Sequence, residues 1–540
     1  MHRFFRRLDE ISNIQTENRV VLWLERIAFI FLTVMVLFAP HSIAVTQSAW
    51  LIGMLAWVIR LFFKPRPKLK PTAIDYALWA FLLWGVVSSV FSYAPDISLD
   101  KLRGVSLFLI FYFVYNNVRT ARGARFLALA LIFSASIVAA WMPVERFIGR
   151  GVEVHGLAAE SPLLKAAPLG GGIPVGEGKT VVWVGKRKIY SPEGLLAEIE
   201  KSDVSRLTVY HEDFYSVVEI KRADLLNGAT AAEKLGIGSW KRNHNWRAAG
   251  FYGENFMTFS EVIQLVISLA FGIFIALLAR FPEFSRSGLA RSPVLVFLLV
   301  CLALMGLALL LTVTRASQFA FFVSAVLIVL LGGSRKIRLI FAAVALPLVI
   351  IGLLVFQQTR NIGFNLGDKS TQYRTMMWRD GMRLWTASAR NFTLGVGMDS
   401  IKRYWREWDL FDRGFEPMGH FHSTPVQLLV ERGLPALLIW LTILGVYART
   451  LWRRLKLRMT DDELRIEEKS QIANRKSQIE TGIVLGCLGG LVGFFVSGLV
   501  HYNLGDGEVA MVFYILMGLG VFVCHAKRGV ETGTEKISRG

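Results

Sequence analysis

The chain has 540 residues, 53% of them hydrophobic, with a mean hydropathy of +0.45 and a formal net charge of +20. A water-soluble globular protein of this length would be less apolar, so a soluble enzyme is excluded. In so apolar a chain the positive charge reads as basic loops that fix topology and touch anionic membrane lipids, with no nucleic-acid partner implied.

Apolar runs of about 20 residues, each able to cross a hydrocarbon core of about 30 Å, recur along the chain. They predict about twelve spans: 20–39, 43–63, 73–92, 104–117, 124–148, 255–279, 293–312, 316–332, 337–357, 425–448, 482–500 and 508–525. The fold class is therefore an all-α polytopic membrane protein. The first run follows Arg3, Arg6 and Arg7 and lacks a small-residue cleavage site, so it reads as an anchor. Cys301, Cys487 and Cys524 sit inside apolar runs and read as small buried hydrophobes, with no disulfide framework and no metal site.

Loop charge sets the orientation. With the N-terminus in the cytoplasm, the inner loops carry Arg60, Lys64, Arg66, Lys68 and Lys70, then Arg119, Arg122 and Arg125, then Arg280, Arg286 and Arg291, then Arg335, Lys336 and Arg338. The loop 449–480 and the C-terminal tail, with Lys527 and Arg528, are also basic. His41–Ser48 and His501–Glu508 have no Lys or Arg. Only the short loop with Lys101 and Arg103 departs from the positive-inside rule. Both termini are expected in the cytoplasm of a bacterial inner-membrane protein.

The organisation that follows is spans one to five in 1–148, an α+β outer insertion in 149–250, spans six to nine in 251–357, an outer loop with amphipathic helices in 358–424, and spans ten to twelve in 425–540. The insertion opens on the flexible run PLGGGIP (168–174). TVVWVG reads as a strand, and SPEGLLAEIEK as a helix with Ser191 as N-cap and Pro192 at its first position. RLTVYHE and FYSVVEIKR read as a hairpin. This β-α-β-β module resembles a PDZ-like domain, and a structural insertion is favoured over a peptide-binding role. In the second outer segment, QYRTMMWRDGMRLW predicts an amphipathic interfacial helix with Arg374, Arg379 and Arg383 on or beside its polar side.

Three ionisable residues from separate parts of the chain fall on the same predicted face. Arg315 lies in LLLTVTRASQFAFF between two apolar runs, where an arginine needs an anion, a carbonyl or water. Arg247 precedes span six and His422 precedes span ten. Singly, each reads as a snorkelling, loop or structural residue. Together they read as a site: arginine forks bind phosphate oxygens, and a histidine removes a proton from an attacking hydroxyl. The set suits glycosyl transfer from a lipid diphosphate. HExxH, CxxC, Walker A and GxGxxG patterns are missing, so no metal and no cofactor is called for.

The pieces RAAGFYGENFMTFSEV, LTVTRASQFAFF, YRTMMWRDGMRLW with NFTLGVGMDSI, and HSTPVQLLVERGLPALL resemble the O-antigen ligase and polymerase superfamily of bacterial membrane glycosyltransferases, between about Arg247 and Leu519. The most specific is His422 five residues before Gln427, with Glu431 and Gly433 beyond, which fits an H-x-x-x-x-Q-x-x-x-E-x-G pattern and selects His422 over His420. The resemblance implies an undecaprenyl-diphosphate-linked glycan donor, diphosphate contacts from Arg247 and Arg315, activation of the acceptor hydroxyl by His422, inversion at the anomeric carbon and no metal. Arg374, Arg379, Gln427 and Glu431 are expected to support the site, Glu431 least. Ser423 stands where the family often has Asn, Pro425 starts the helix, and the 149–250 insertion exceeds a simple loop. The expected acceptor is lipid A–core, as in an O-antigen ligase. The alternatives are the growing glycan, as in a polymerase, and a protein hydroxyl. A polyprenyl-glycan transporter is the rival class, but the two halves show no repeat. Gly395 and Gly397 read as turn glycines, and no motif decides His501 or Tyr502.

Overall fold

Apolar sequences of this length satisfy their backbone groups in lipid by forming helices, and the computed structural model is dominated by them. It describes residues 2–169, 173–211, 214–253, 255–279, 292–345, 347–348, 351–352, 369–414, 419–463 and 471–526. Among these, nine helices are long and apolar enough to cross a membrane: Arg19–Phe38, Ile43–Arg60, Ala121–Ile148, Phe256–Leu278, Pro293–Leu311, Arg315–Gly332, Thr424–Leu457, Ser477–Gly498 and Gly507–His525. Asp75–Val90 is apolar but shorter. The run expected as the fourth span is broken into Leu102–Val105, a 3-10 turn at Ser106–Phe108, and Leu109–Asn117. Ser106 Oγ takes the carbonyl of Arg103 at 2.7 Å, a local bond that competes with the helical ladder. The expected ninth span begins as Arg335–Ile340 and a π-helical turn at Phe341–Ala345, and most of its remainder lies outside the described residues. The charges expected at Arg280, Arg286, Arg291, Lys527 and Arg528 also lie outside them.

The chain forms two compact units, one of residues 1–136, 260–306 and 314–540, the other of residues 137–259 and 307–313. In the first, helices approach through small residues. A Cβ on Gly272 would strike the backbone of Gly486, and one on Gly332 would strike Leu485. Polar side chains add to the packing, with Ser324 Oγ donating to the Gly489 carbonyl at 2.7 Å.

Sidedness within this unit is visible in its ion pairs. Arg60 and Arg119 share Glu25 at 2.8 and 2.7 Å, Arg125 meets Glu480 at 2.7 Å, and Tyr115 meets His525 at 3.0 Å. Helix Gly507–His525 therefore ends among these basic groups. Its other end follows His501–Asp506 and belongs to the opposite face.

The second unit is built on an antiparallel sheet: β1 (Arg150–His155), β2 (Ala167–Pro168), β3 (Thr180–Val184), β4 (Arg187–Lys188), β5 (Val204–His211), β6 (Phe214–Lys221) and β7 (Ser239–Asn243). The order is β2-β6-β5-β3-β1-β7, with β4 on β3. β5 and β6 pair from Val204↔Lys221 to His211↔Phe214, and the turn residues 212 and 213 lie outside the described residues. Ser191 caps Pro192–Ile199 by accepting the Gly194 N–H at 3.3 Å. Val154, Val181, Leu195, Ile199, Leu207 and Val218 fill the core between helix and sheet. Glu145, in the last turn of Ala121–Ile148, takes a buried fork from Arg150 at 3.0 and 2.9 Å, and that guanidinium lies 3.7 Å from the Trp246 ring centroid.

Candidate functional site

The long helix Thr424–Glu463 is broken at Gly433, whose φ of 73° and ψ of 178° belong to a region only glycine occupies readily. A break frees carbonyls, and neighbouring elements take them up. The N–H groups of Val396 and Gly397 donate to the carbonyls of Val430 and Glu431, each at 2.8 Å, and the Trp84 indole donates to Arg432 at 2.8 Å. The LGVG run thus lies directly on the break. Gly395 and Gly397 have φ of 73° and 100°, and a Cβ on Gly433 would strike the carbonyl of Thr393. Glu431, buried at the break, accepts the Asp399 N–H at 2.8 Å. Burial would raise the Asp399 carboxyl, but bonds from Lys101 (2.7 Å) and Lys402 (3.0 Å) outweigh it and hold the group below the usual carboxylate range. Lys101, the residue against the positive-inside pattern, is therefore the partner of an acidic group on this loop.

His422 stands two residues before this helix with φ of 46°, a left-handed backbone. Its neighbours hold it there. Gln427 folds back so that Oε1 accepts the Phe421 N–H at 2.8 Å, and the Trp378 indole donates to the Phe421 carbonyl at 3.0 Å. The His422 N–H donates to Nδ1 of His420 at 3.3 Å, which leaves the proton of a neutral His420 on Nε2. The two rings lie 4.1 Å apart. Burial, with the charges of His420, Arg374 and His501, pushes His422 down to about 3. Burial, with Lys402 and His501, pushes His420 down to about 4. Both imidazoles are neutral at pH 7, and a neutral ring is what can accept a proton.

The helix itself is pinned at its first residue. Thr424 donates its N–H to the His501 carbonyl at 3.0 Å, and its Oγ1 lies 3.1 Å from that carbonyl and 2.9 Å from Asn503 Oδ1. Asn503 is fixed in turn by the Phe494 carbonyl (2.7 Å) and Ser497 Oγ (3.1 Å).

The expected arginines take different places. Arg374, half-buried on helix Lys369–Thr386, is near enough for its charge to act on His422, whereas Arg379 is exposed. That helix packs by Met377 against Phe421 and Val430, so its apolar side meets protein, with Met382 left exposed. Arg315 is the first residue of Arg315–Gly332. Arg247, in the second unit, donates Nε and Nη2 to the carbonyls of Thr312 and Val313, both at 2.8 Å, and lies 3.6 Å from the Phe256 ring centroid. Two of its five N–H donors thus tie it to the 312–313 backbone of its own unit. The structure brings His422, Gln427 and Arg374 together. It places Glu431 on the Asp399 loop. Among the described residues no cluster of three or more His, Cys, Asp or Glu is placed to hold a metal.

Residues 300–441 match the family model described as O-antigen ligase. This segment is O-antigen ligase-like. With nine apolar helices among the described residues, the chain is a multi-pass membrane protein that carries this O-antigen ligase-like segment. No curated protein matches the chain. The ligase-like segment contains Arg315, Arg374, Arg379, His422, Gln427 and Glu431, and Arg247 precedes it.

Several residues around the ligase-like segment were not legible as site residues. Glu261 and His501 form a buried pair at 3.0 Å. Asp399 and Lys101 are joined across the LGVG loop. Arg432 is buried over Phe81 at 5.2 Å from its ring centroid. The sequence signal for Glu261, His501, Asp399 and Arg432 was ionisable character beside apolar runs, and for Lys101 it was the departure from the positive-inside pattern.

Proposed function

We propose that this protein is a metal-independent, inverting glycosyltransferase that moves a glycan from undecaprenyl diphosphate to an acceptor hydroxyl at the periplasmic face, with lipid A–core as the acceptor. The observation that carries the reading is His422: a neutral, half-buried imidazole held at the start of a broken helix, inside the ligase-like segment and beside the cation Arg374. In this reading His422 takes the proton of the acceptor hydroxyl as its oxygen bonds to the anomeric carbon. The bond from that carbon to the diphosphate breaks on the opposite face, its electron pair leaves on the phosphate oxygen, and Arg247 and Arg315 bind the departing charge. The basic ends at Arg60, Arg119 and Arg125 are the cytoplasmic ones, so the histidines face the other compartment.

The test is a transfer assay with purified protein, a polyprenyl-diphosphate glycan and chelator, offering lipid A–core, further donor or a peptide as acceptor. Transfer to lipid A–core, lost in His422→Ala and Arg315→Ala, supports the ligase reading. Transfer only to donor or to peptide moves the assignment to a polymerase or a protein glycosyltransferase. No transfer, with movement of the lipid-linked glycan across vesicles, replaces the enzyme reading with a transporter.

A further inference from the structure

Two buried ionisable groups are not used in the reaction above. Glu261, on Phe256–Leu278, and His501, in the turn between Gly498 and Gly507, are 1% and 5% exposed. Isolated charges so deeply buried are costly, and groups of this kind persist when they are paired. Nδ1 of His501 lies 3.0 Å from Oε1 of Glu261. A carboxylate can only accept, so opposite an ionised Glu261 the donor is Nδ1 and the second ring nitrogen, Nε2, faces away from this bond.

The pair is physically joined to the His422 site. The His501 carbonyl receives Thr424, two residues after His422. A positive charge on His501 would be felt at both His420 and His422. The other charged groups acting on those rings are Arg374, Lys402 and Asp399, and of these only Asp399 is acidic; it is already shared by two lysines. His501 is the imidazole of this cluster with a carboxylate of its own.

We propose that Glu261 and His501 form a second acid–base pair that acts through His422, holding the proton taken from the acceptor. This rests on the transferase reading. The acceptor O–H bond breaks as its oxygen bonds to the anomeric carbon, and the diphosphate leaves with the electron pair of the bond that breaks. The proton passes from His422 to Nε2 of His501, where the Glu261 carboxylate balances the charge. His422 is then neutral for the next acceptor.

The experiment measures kcat, donor KM and the pH–rate profile for Glu261→Gln, His501→Gln and the double variant Glu261→Met/His501→Phe, with His422→Ala alongside. Each single variant keeps a hydrogen-bonding side chain and the backbone carbonyl that receives Thr424. Loss of kcat by about 10- to 100-fold, no more than the lower end of what a group acting directly on substrate contributes, with donor KM within about twofold and a deficit that shrinks as pH rises, is the expected result. If a single variant does not fold, the double variant decides, because it removes both partners of the buried pair together and keeps the His501 backbone carbonyl that receives Thr424. A folded double variant with wild-type kcat overturns the proposal, as does a loss equal at every pH with a raised KM. Inactive His422→Ala beside wild-type single variants sinks this proposal and leaves the site reading intact. Active His422→Ala sinks the site reading and this proposal with it.

Discussion

Gly433→Ala tests whether the broken helix organises the site. The native φ of 73° and ψ of 178° lie where alanine is strained by about 1–3 kcal/mol. The new methyl group would also meet the carbonyl of Thr393, and packing an extra carbon into a filled site costs about 1–3 kcal/mol more. The sum is about 2–6 kcal/mol, relieved only if the LGVG run moves off the break and gives up the bonds from Val396 and Gly397. Gly445, further along the same helix, has open space at its Cβ position and no positive φ. Gly445→Ala is therefore expected to be neutral or stabilising by up to about 1 kcal/mol. Heat inactivation of detergent-purified protein, followed by monodispersity and by transfer activity, compares the two. Gly433→Ala should denature well below wild type and Gly445→Ala at or above it. Equal midpoints for all three proteins would refute the assignment of Gly433 as an obligatory break.

Further outcomes are expected from the same geometry. Glu431→Gln keeps an acceptor for the Asp399 N–H, whereas Glu431→Ala leaves that donor unmet, so the alanine variant should be less stable by about 1–3 kcal/mol in a chemical-denaturation comparison. The Asp399 carboxyl is held below its usual range, so its ion pairs stabilise the fold above the ordinary carboxylate pKa and that contribution is lost as pH falls through the lowered one. Removing the cations with Lys101→Met and Lys402→Met should therefore start the acid loss of thermal stability at a higher pH. His422 is lowered to about 3, so the acid limb of kcat/KM should lie well below 6.5, and a limb at the ordinary histidine pKa would argue against His422 as the base. Arg247→Lys puts a point charge where a fork binds the Thr312 and Val313 carbonyls, and should weaken transfer by at least about tenfold if a bond worth about 1.4 kcal/mol is lost.

Hydropathy alone locates the membrane helices, because a span must be apolar over its whole length to enter lipid. The helix starts at Arg19, Ile43, Phe256, Pro293 and Thr424 fall within a residue of where the apolar runs begin. The same reasoning does not foresee the 3-10 interruption at Ser106–Phe108, where the Ser106 hydroxyl donates to the Arg103 carbonyl. Local chemistry also yields Ser191 as a cap and the β5–β6 hairpin, since caps and alternation are set by neighbouring residues.

The position of His422 ahead of a long apolar run is written in the sequence, as are Gln427 and Glu431 at helical spacing beyond it. What each of them touches is not. Gln427 lies close enough in sequence to fold back on Phe421, whereas Glu431 turns to Asp399 in another segment of the chain. Lys101 looks like a topological exception until the fold sets Asp399 against it. Glu261 and His501 are 240 residues apart and carry no shared motif, so only tertiary packing could join them. Burial and periodicity act along the chain and can be read from it. The pairing of buried charges depends on which helices meet, and that is decided in three dimensions.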